Sequence, residues 1–270
     1  MVVQHNMAAA NANRQLGITT GTLSKSTEKL SSGYRINRAA DDAAGLSISE
    51  KMRSQIRGLN KASSNAQDGI SAIQTAEGAL NEAHAILQRM NELATQAAND
   101  TNTSADRTAV QSEVNALTKE LNRIASTTQF NTKNLLDGTF SGKNLQVGAL
   151  ADQKISISIG AMNATALSVN ALCVSTFAKA GSAMTAIQHA ISKVSTQRSN
   201  LGALQNRLEH TVNNLDNVAE NTQTAESRIR DTDMASEMVQ YSATSIIQQA
   251  GQSMLAQANS QTQGVLSLIQ

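Results

Sequence analysis

The sequence predicts a mainly α-helical protein, in which long antiparallel helices form a coiled-coil rod with a small β-hairpin region near residues 130–160. Three observations support this fold class. The chain contains no proline, the residue that most strongly breaks helix interiors. Apolar residues recur at alternating three- and four-residue spacing over long stretches, which is the period of an amphipathic helix. One stretch in the middle of the chain changes to the two-residue alternation that is typical of strands.

The first half of the chain predicts three helices. Residues 5–33 form the first, with leucines at seven-residue intervals at Leu16, Leu23 and Leu30. A break rich in charge follows, and helical spacing resumes near Ser47 and stops around residues 99–100. The third helix is expected to begin at Thr103, because Thr103 and Asp106 have the spacing of a capping box.

The strands are expected between Phe130 and Gly160. Three glycines divide this stretch into short runs, and isoleucines alternate with serines at Ile155, Ile157 and Ile159. This alternation predicts one or two hairpins. Residues 161–178 give no clear pattern.

The second half carries the longest helical pattern. Its members alternate three and four residues apart: Met184, Ile187, Ile191, Val194, Arg198, Leu201, Gln205, Leu208, Val212, Leu215, Ala219 and Thr222. Such a pattern predicts a coiled-coil seam with two polar interruptions. Residues 226–234 (ESRIRDTDM) then predict a joint, where Asp231 or Asp233 caps a last helix. Folding the chain back at the hairpins places both ends together at one end of the rod.

Both ends of the chain are nearly free of charge. No Asp, Glu, Lys or Arg occurs from Met238 to Gln270, and His5 is the one titratable side chain before Arg14. Soluble monomers carry about a quarter charged residues. Charge-poor amphipathic ends therefore indicate self-assembly, in which copies of the chain cover these faces.

Composition argues against several other classes of protein. The net charge of +1 and the scarcity of aromatic residues give no basis for nucleic-acid binding. No apolar run is long enough to insert into a membrane, and the N-terminus lacks the pattern of a cleaved signal peptide. The four histidines show no metal-ligand spacing, and no catalytic or cofactor-binding motif is found, so we expect no enzyme, metal or cofactor. The single Cys173 is expected to be a small buried side chain.

Several blocks of the sequence resemble a known family. They are QHNMAAANANRQL at 4–16, EKLSSGYRINRAADDAAGLSISEKMRSQIRGLN at 28–60, NAQDGISAIQTAEGALNEAHAILQRMNELATQAAND at 65–100, TTQFNTKNLLDGTF at 127–140, RIRDTDMASEMV at 228–239 and the ending VLSLIQ. Together these blocks resemble bacterial flagellin, the subunit of the flagellar filament. The likeness extends over both halves, and residues 160–183 leave no room for an added outer domain, as in the short form of the family.

The resemblance implies a domain organisation and a set of partners. Residues 1–45 and 226–270 would form the inner terminal coiled-coil region, and residues 46–225 the helical rod with its hairpins. The chain would be exported unfolded by the flagellar type III export apparatus and polymerise into an extracellular helical filament of many copies for swimming motility. Its partners would include the flagellar cap and junction proteins and an export chaperone on the C-terminal tail. The alternative is a hook–filament junction protein, which shares such terminal helices.

Two groups of residues are expected to make contacts between subunits. The first is a charged cluster in the break after the first helix, at Arg35, Arg38, Asp41 and Asp42. It is interpreted as a connector whose charges meet neighbouring subunits, and the alternative is a solvated loop with weak surface ion pairs. The second group consists of apolar residues of the terminal helices: Leu16, Leu23, Leu30, Met238, Ile246, Leu255 and Leu266.

The resemblance also implies a surface that faces the host. In many flagellins the helix that matches QRMNELATQAAN contacts the toll-like flagellin receptor of animals, and the matching positions here are Arg89, Leu93 and Glu113. The alternative interpretation is that Arg89 and Glu113 pair on helix surfaces while Leu93 belongs to the packing stripe.

Overall fold

The structure is a computed structural model that describes residues 6–267, without the side chains of residues 262, 263 and 265–267. The described residues form helices α1 (Met7–Ser32), α2 (Ala43–Ala97), α3 (Ser104–Thr127), α4 (Phe177–Arg230) and α5 (Met234–Ser267), and short strands β1 (Gln129–Phe130), β2 (Lys133–Asn134), β3 (Lys143–Gln146) and β4 (Lys154–Ile157). This confirms the predicted class, mainly α with small antiparallel strand pairs. No helix in this part of the chain has the length and apolar character needed to cross a membrane.

The chain divides into two compact units. The terminal unit contains the two ends of the chain, up to Gln55 and from Asn221 onward. The central unit is Ile56–Glu220. Both α2 and α4 contribute residues to each unit.

Local sequence signals explain where the helices begin and end. The Asn6 side chain accepts a hydrogen bond from the backbone N–H of Ala9 at the start of α1, and Gly33 ends that helix in the left-handed conformation (φ 76°). The predicted capping box of Thr103 and Asp106 is present at the start of α3. Hydrogen bonds from the Thr103 hydroxyl and backbone N–H lower the pKa of Asp106 below its ordinary value. Asp233 caps α5 by accepting from the N–H groups of Ala235 and Ser236.

The strands form two antiparallel pairs in the predicted region. β1 pairs with β2, and β3 pairs with β4 in a register that sets Gln146 opposite Lys154. Along β4 the residues alternate between exposed and buried, with Ile155 and Ile157 buried as the two-residue pattern predicts.

The core of the central unit follows the predicted seam of α4. Ile187, Val194, Leu201 and Leu208 are each 0% exposed and belong to one cluster with residues of α2, α3 and the strands. The polar interruptions lie at its margin, where Arg198 approaches Glu77 of α2 at 3.7 Å. The cluster also buries Leu80 and Leu87 of α2 completely.

The stretch without a clear pattern, residues 161–178, folds as a series of turns before α4 begins at Phe177. Its apolar side chains Met162, Leu167, Val169 and Val174 are buried in the central core. Cys173 is half-buried, so the expectation of a buried side chain is wrong. Its thiol lies 3.2 Å from the Ser175 hydroxyl, and hydrogen bonds from Ser175 lower the pKa of Cys173.

Candidate assembly surface

Helices α1 and α5 lie side by side and antiparallel in the terminal unit, and polar side chains link them at several points along their length. The Asn6 side-chain amide donates to the carbonyl of Ala258 at 3.0 Å, and the Gln248 amide donates to the Thr20 hydroxyl at 3.3 Å. Near the other end of the pair, Lys29 and Glu237 form an ion pair at 3.8 Å. These polar contacts help to fix how α1 and α5 are aligned along their length.

The predicted leucines of this pair are half-buried. They are Leu16, Leu23 and Leu30 on α1 and Leu255 on α5. Leu16 lies against Gly251, where an added Cβ would come within 3.4 Å of the leucine methyl. Leu16 therefore already has a neighbour within its own chain.

A second set of large apolar side chains on these helices points into solvent. Its members with the greatest exposed fractions are Met7 (72%), Ile18 (57%), Met238 (49%), Val239 (71%), Ile246 (66%), Ile247 (56%) and Met254 (66%). Two predicted contact residues, Met238 and Ile246, belong to this set. The side chain of the predicted Leu266 lies outside the described residues. In the described part of the central unit, by contrast, the exposed large apolar residues are Leu150, Phe177 and Val218.

Two connectors of the terminal unit bind each other. The first joins α1 to α2 (residues 33–42), and the second joins α4 to α5 (residues 231–233). The backbone N–H of Arg35 donates to the carbonyl of Arg230 at 2.6 Å, and the N–H of Thr232 donates to the carbonyl of Gly33 at 3.0 Å. The Arg35 guanidinium also donates to the carbonyl of Ile229. The first connector therefore satisfies carbonyl groups that the end of α4 leaves without helical partners.

Arg230 is the central side chain of this joint. Its guanidinium stacks on the ring of Tyr34 at 4.6 Å from the centroid and donates to Glu50 on α2 at 3.0 Å. The hydrogen bond from Arg230 lowers the pKa of Glu50 below its ordinary value. The sequence predicts a joint here but does not identify Arg230, Tyr34 or Glu50 as its members. Their contacts join residues about 180 positions or more apart, which no local pattern relates.

The four charged residues predicted at the first connector have different surroundings. Arg35 binds the end of α4, as described above. Arg38 pairs with Glu28 at 2.9 Å while its side chain remains 72% exposed. Asp41 accepts hydrogen bonds from the N–H groups of Arg38 and Asn37, which lower its pKa, and Asp42 accepts from the N–H of Gly45 in the first turn of α2. The two carboxylates thus have local turn and cap roles, and the largely exposed Arg38 side chain can offer its charge to a neighbour.

The residues predicted to face a host receptor lie in the central unit. Arg89 on α2 donates to Glu113 on α3 through Nε and Nη2, at 3.1 and 3.0 Å, and also pairs with Glu92. The hydrogen bonds that Arg89 donates to Glu113, and then to Glu92, raise the pKa of Arg89. Leu93 is 1% exposed and belongs to the central core, so its side chain is not available at the surface.

No group of three or more His, Cys, Asp or Glu side chains is placed to hold a metal ion within residues 6–267, as far as their side chains are described. The arrangement at both connectors consists of hydrogen bonds, ion pairs and a cation–π contact. Contacts of these kinds can fix the positions of the connected helices and thereby present the faces of these helices to other molecules.

Comparison with family models gives two matches. Residues 3–141 match the bacterial flagellin N-terminal helical region, and residues 184–269 match the bacterial flagellin C-terminal helical region. The two matches together cover more than half of the chain.

Full-length relatives agree with these models. The chain is 54% identical over 271 residues to a flagellin of Halalkalibacterium halodurans, with 100% of both chains covered. It is 50% identical over 285 residues to the flagellar filament 33 kDa core protein of Treponema phagedenis, again with 100% of both covered. Among solved structures, the crystal structure of Bacillus cereus flagellin matches with a TM-score of 0.50 and 33% identity, over 56% of this chain and 88% of that one.

Proposed function

Because this chain belongs to the bacterial flagellin family, whose members are structural subunits of the flagellar filament, we propose that it polymerises through the outward faces of α1 and α5. The observation that carries this proposal is the set of exposed Met, Ile and Val side chains on these two helices. A stable monomer rarely leaves so many large apolar side chains in water. Burial of a fully exposed side chain of this size contributes about 1.5–3 kcal/mol, and burial of the exposed part of each of these side chains would contribute a corresponding fraction.

Charge distribution supports the same surface. Because α5 carries no charged residue after Glu237, copies of the helix can approach one another without like-charge repulsion or the cost of burying an ion. Its Gln, Ser and Asn side chains can hydrogen-bond to one another or to water. The free chain, in contrast, must offset about 1–2 kcal/mol of backbone entropy per residue with the contact between these two helices alone. We therefore expect the terminal helices to order fully when subunits assemble.

The test replaces two outward isoleucines of α5. The double variant Ile246→Gln, Ile247→Gln should fail to form filaments in electron micrographs, because burial would desolvate two amides in place of two apolar side chains. Its matched control is Ile246→Met, Ile247→Met, which keeps both positions apolar and should polymerise. Circular dichroism should show an unchanged thermal transition of the central unit in both. Filaments of normal length from the glutamine variant would refute the proposal.

We extend the proposal to the domain organisation. Residues 1–45 and 226–270 would form the inner region of the filament, and residues 46–225 the outer helical region with the hairpins. The two bound connectors support an inner region whose N- and C-terminal parts order together, because each supplies hydrogen-bond partners to the other.

The charged connector supplies a second contact. Arg38 keeps most of its side chain exposed although it pairs with Glu28, so it can reach a carboxylate of an adjacent subunit. Arg38→Glu should impair polymerisation without loss of helix content, whereas Arg38→Lys should retain it. Arg35→Glu should impair polymerisation as well, but by weakening the joint inside the subunit, where Arg35 binds the end of α4. If the Arg38→Glu variant formed filaments like those of the wild type, Arg38 would not contribute a contact between subunits.

Family membership further suggests the route and partners of the chain. We propose export through the flagellar type III apparatus, a chaperone that covers the C-terminal tail before export, and contact with the cap and junction proteins at the filament ends. Co-purification of the full chain, with a truncation after Glu237 as the control, would test the chaperone. If the chaperone also bound the truncated chain, its binding site would lie outside the C-terminal tail.

We also propose that Arg89 and Glu113 form part of a surface for the host toll-like flagellin receptor. Their ion pair joins α2 and α3 at an exposed position, while Leu93 supports α2 from the core. Arg89→Ala should lower activation of reporter cells, and the control is Lys119→Ala, which removes an exposed cation elsewhere on α3. If the Arg89→Ala variant and the wild type activated reporter cells equally, the Arg89–Glu113 ion pair would have only a structural role.

The junction-protein alternative is less favoured. Relatives named as flagellins or filament core proteins match over their full lengths at about half identity. Polymerisation of the pure chain into long filaments is the behaviour expected of a filament subunit.

A further inference from the structure

The tip of the β3–β4 hairpin (residues 147–153, hereafter the hairpin tip) presents an exposed apolar side chain on a rigid support. Leu150 is 61% exposed, and it is one of three exposed large apolar residues in the described part of the central unit, with Phe177 and Val218. Isolated exposed leucines are common on proteins, so exposure alone does not define a binding site. The tip also holds Leu150 in a fixed position.

Side-chain amides tie the tip together. The Gln146 amide donates to the carbonyls of Gly148 and Leu150, at 2.9 and 2.6 Å, and Gln153 Oε1 accepts from the Leu150 N–H at 3.0 Å. Gly148 is required at its position, because an added Cβ would come within 2.0 Å of the Gln153 amide oxygen. Leu150 is therefore held in one backbone geometry.

The tip is also docked onto helix α2. Ala149 lies against Gly58, where an added Cβ would come within 2.9 Å of the alanine methyl, and the Asn65 amide donates to the carbonyl of Gln146 at 3.2 Å. Preorganised apolar anchors of this kind are typical of the central residues of protein interfaces, since little conformational entropy is lost on binding.

A cleft that can receive such an anchor lies between α2 and α3 of the same unit. Its volume is about 500 Å³, and the half-buried Ala79, Ile86 and Ile124 contribute apolar walls. Gly78 opens one side of it. A Cβ at Gly78 would meet nothing within 4 Å, so the packing of the chain itself does not require glycine there. Glycine weakens a helix interior relative to alanine, and an approaching neighbour would explain its presence.

The two surfaces cannot meet within one chain. The hairpin tip contacts α2 at Gly58, and the cleft begins at Gly78, twenty residues further along the same helix. At 1.5 Å per residue these sites are about 30 Å apart. A projection at one site and a receiver at a different site form a heterologous contact, which repeats from copy to copy and builds an open filament wherever the rotation between copies does not close a ring.

Charge complements shape at this pair of surfaces. Lys154, at the base of the hairpin tip, and Glu82, at the cleft, are both exposed and form no salt bridge in the part of the chain that the structure describes. The other charges of the cleft, Glu120 and Arg123, neutralise each other at 2.5 Å. The cleft thus keeps one uncompensated acidic group for a basic partner.

We propose that the hairpin tip of one subunit inserts Leu150 into the α2–α3 cleft of a second copy of this chain, with Lys154 facing Glu82. This inference rests on the proposed filament function, and it adds a contact in the central unit to that of the terminal helices.

Disulfide trapping tests the contact directly. In a Cys173→Ser background, the variant Leu150→Cys, Gly78→Cys should give a ladder of covalent multimers on non-reducing gels after mild oxidation of its filaments. The matched control is Leu150→Cys, Gln88→Cys, which places the second thiol at an exposed position of α2 outside the cleft. Normal filaments without a ladder, or equal ladders from both pairs, would overturn the proposal. Absence of filaments from the wild-type chain would instead contradict the proposed function.

A charge exchange provides a second measurement that does not depend on cysteines. Lys154→Glu should raise the critical concentration for polymerisation severalfold, because two carboxylates would then face each other. Adding Glu82→Lys to Lys154→Glu should restore it to near the wild-type value. Failure of the double variant to recover, or no effect of Lys154→Glu alone, would count against the contact.

Discussion

At the scale of single residues, the central unit depends on a few large aliphatic side chains. Alanine occupies many of its buried positions, and Ala66, Ala76, Ala83, Ala94 and Ala97 of α2 are at most 1% exposed. Alanine lets helices approach closely but buries little area per residue. The leucines and isoleucines between these alanines therefore provide most of the hydrophobic stabilisation.

Leu87→Ala should accordingly destabilise the central unit by about 2–5 kcal/mol, since Leu87 is 0% exposed and its removal leaves a cavity. Urea denaturation followed by circular dichroism measures the change. Leu150→Ala is the matched control, because the same residue type is removed from an exposed site and should change the free energy of unfolding by less than about 0.5 kcal/mol. Similar losses from the two variants would contradict the assigned core.

The sequence predicts the core residues well, because helical spacing alone separates the buried Ile187, Val194 and Leu201 from their neighbours. It predicts exposure of the terminal helices less well. Leu16 and Ile246 are both apolar and both were expected at subunit contacts, but Leu16 lies against Gly251 of its own chain and Ile246 points outward. Which of two apolar stripes faces the partner helix depends on the register of α1 against α5, and this register is set by contacts such as Thr20 with Gln248.

At the scale of structural elements, the joint of the two connectors is the most informative feature. Its carboxylates Asp41 and Glu50 both have lowered pKa values, the first through backbone N–H groups and the second through Arg230. A carboxylate with a lowered pKa in the folded state stabilises that state above its ordinary pKa, which is 3.8 for Asp41 and 4.5 for Glu50. This stabilisation is lost as the pH falls through the folded-state values.

The variant Asp41→Asn, Glu50→Gln should therefore melt at a lower temperature than wild type at pH 7, where both carboxylates are ionised. The difference should shrink as the pH falls below about 4.5 and approach zero once the wild-type carboxylates are protonated. Thermal melting of the terminal helices in filaments, followed by circular dichroism at pH 7 and at lower pH values, measures the difference in melting temperature and its change with pH. A difference that is constant or grows on acidification would have the wrong sign.

Arg230→Ala should disrupt the joint, because it removes the stacking on Tyr34 and the hydrogen bond to Glu50 together. We expect faster hydrogen exchange at residues 33–42 in the assembled filament. The matched control is Arg228→Ala, which removes an exposed arginine from the same last turn of α4 and should leave that exchange unchanged. Equal protection in the two variants would show that the connectors do not depend on Arg230.

Local signals predict the ends of elements, but not how distant elements meet. The capping box at Thr103 could be predicted from four consecutive residues. The bond between the Arg35 backbone and the Arg230 carbonyl could not, because no spacing rule relates residues so far apart in the chain. The sequence also does not predict that Arg38 pairs with Glu28 or that Asp41 closes a turn in the same connector. Both contacts depend on the path that the backbone of the connector follows.

At the scale of the whole chain, the apolar character is divided unevenly. Most described large apolar side chains of the central unit are buried or half-buried, whereas the terminal unit leaves Met7, Ile18, Val239, Ile246 and Met254 more than half exposed. We therefore expect other copies of the chain to cover these exposed faces in the filament. The absence of charge from Met238 to Gln270 allows such burial without unpaired ions.

Removal of residues 238–270 tests this claim most directly. We predict that the truncated chain keeps the cooperative thermal transition of the central unit, stays monomeric in sedimentation, and forms no filaments in electron micrographs under conditions in which the full chain polymerises. Long filaments from the truncated chain would contradict the account, because its ends would then be dispensable for assembly.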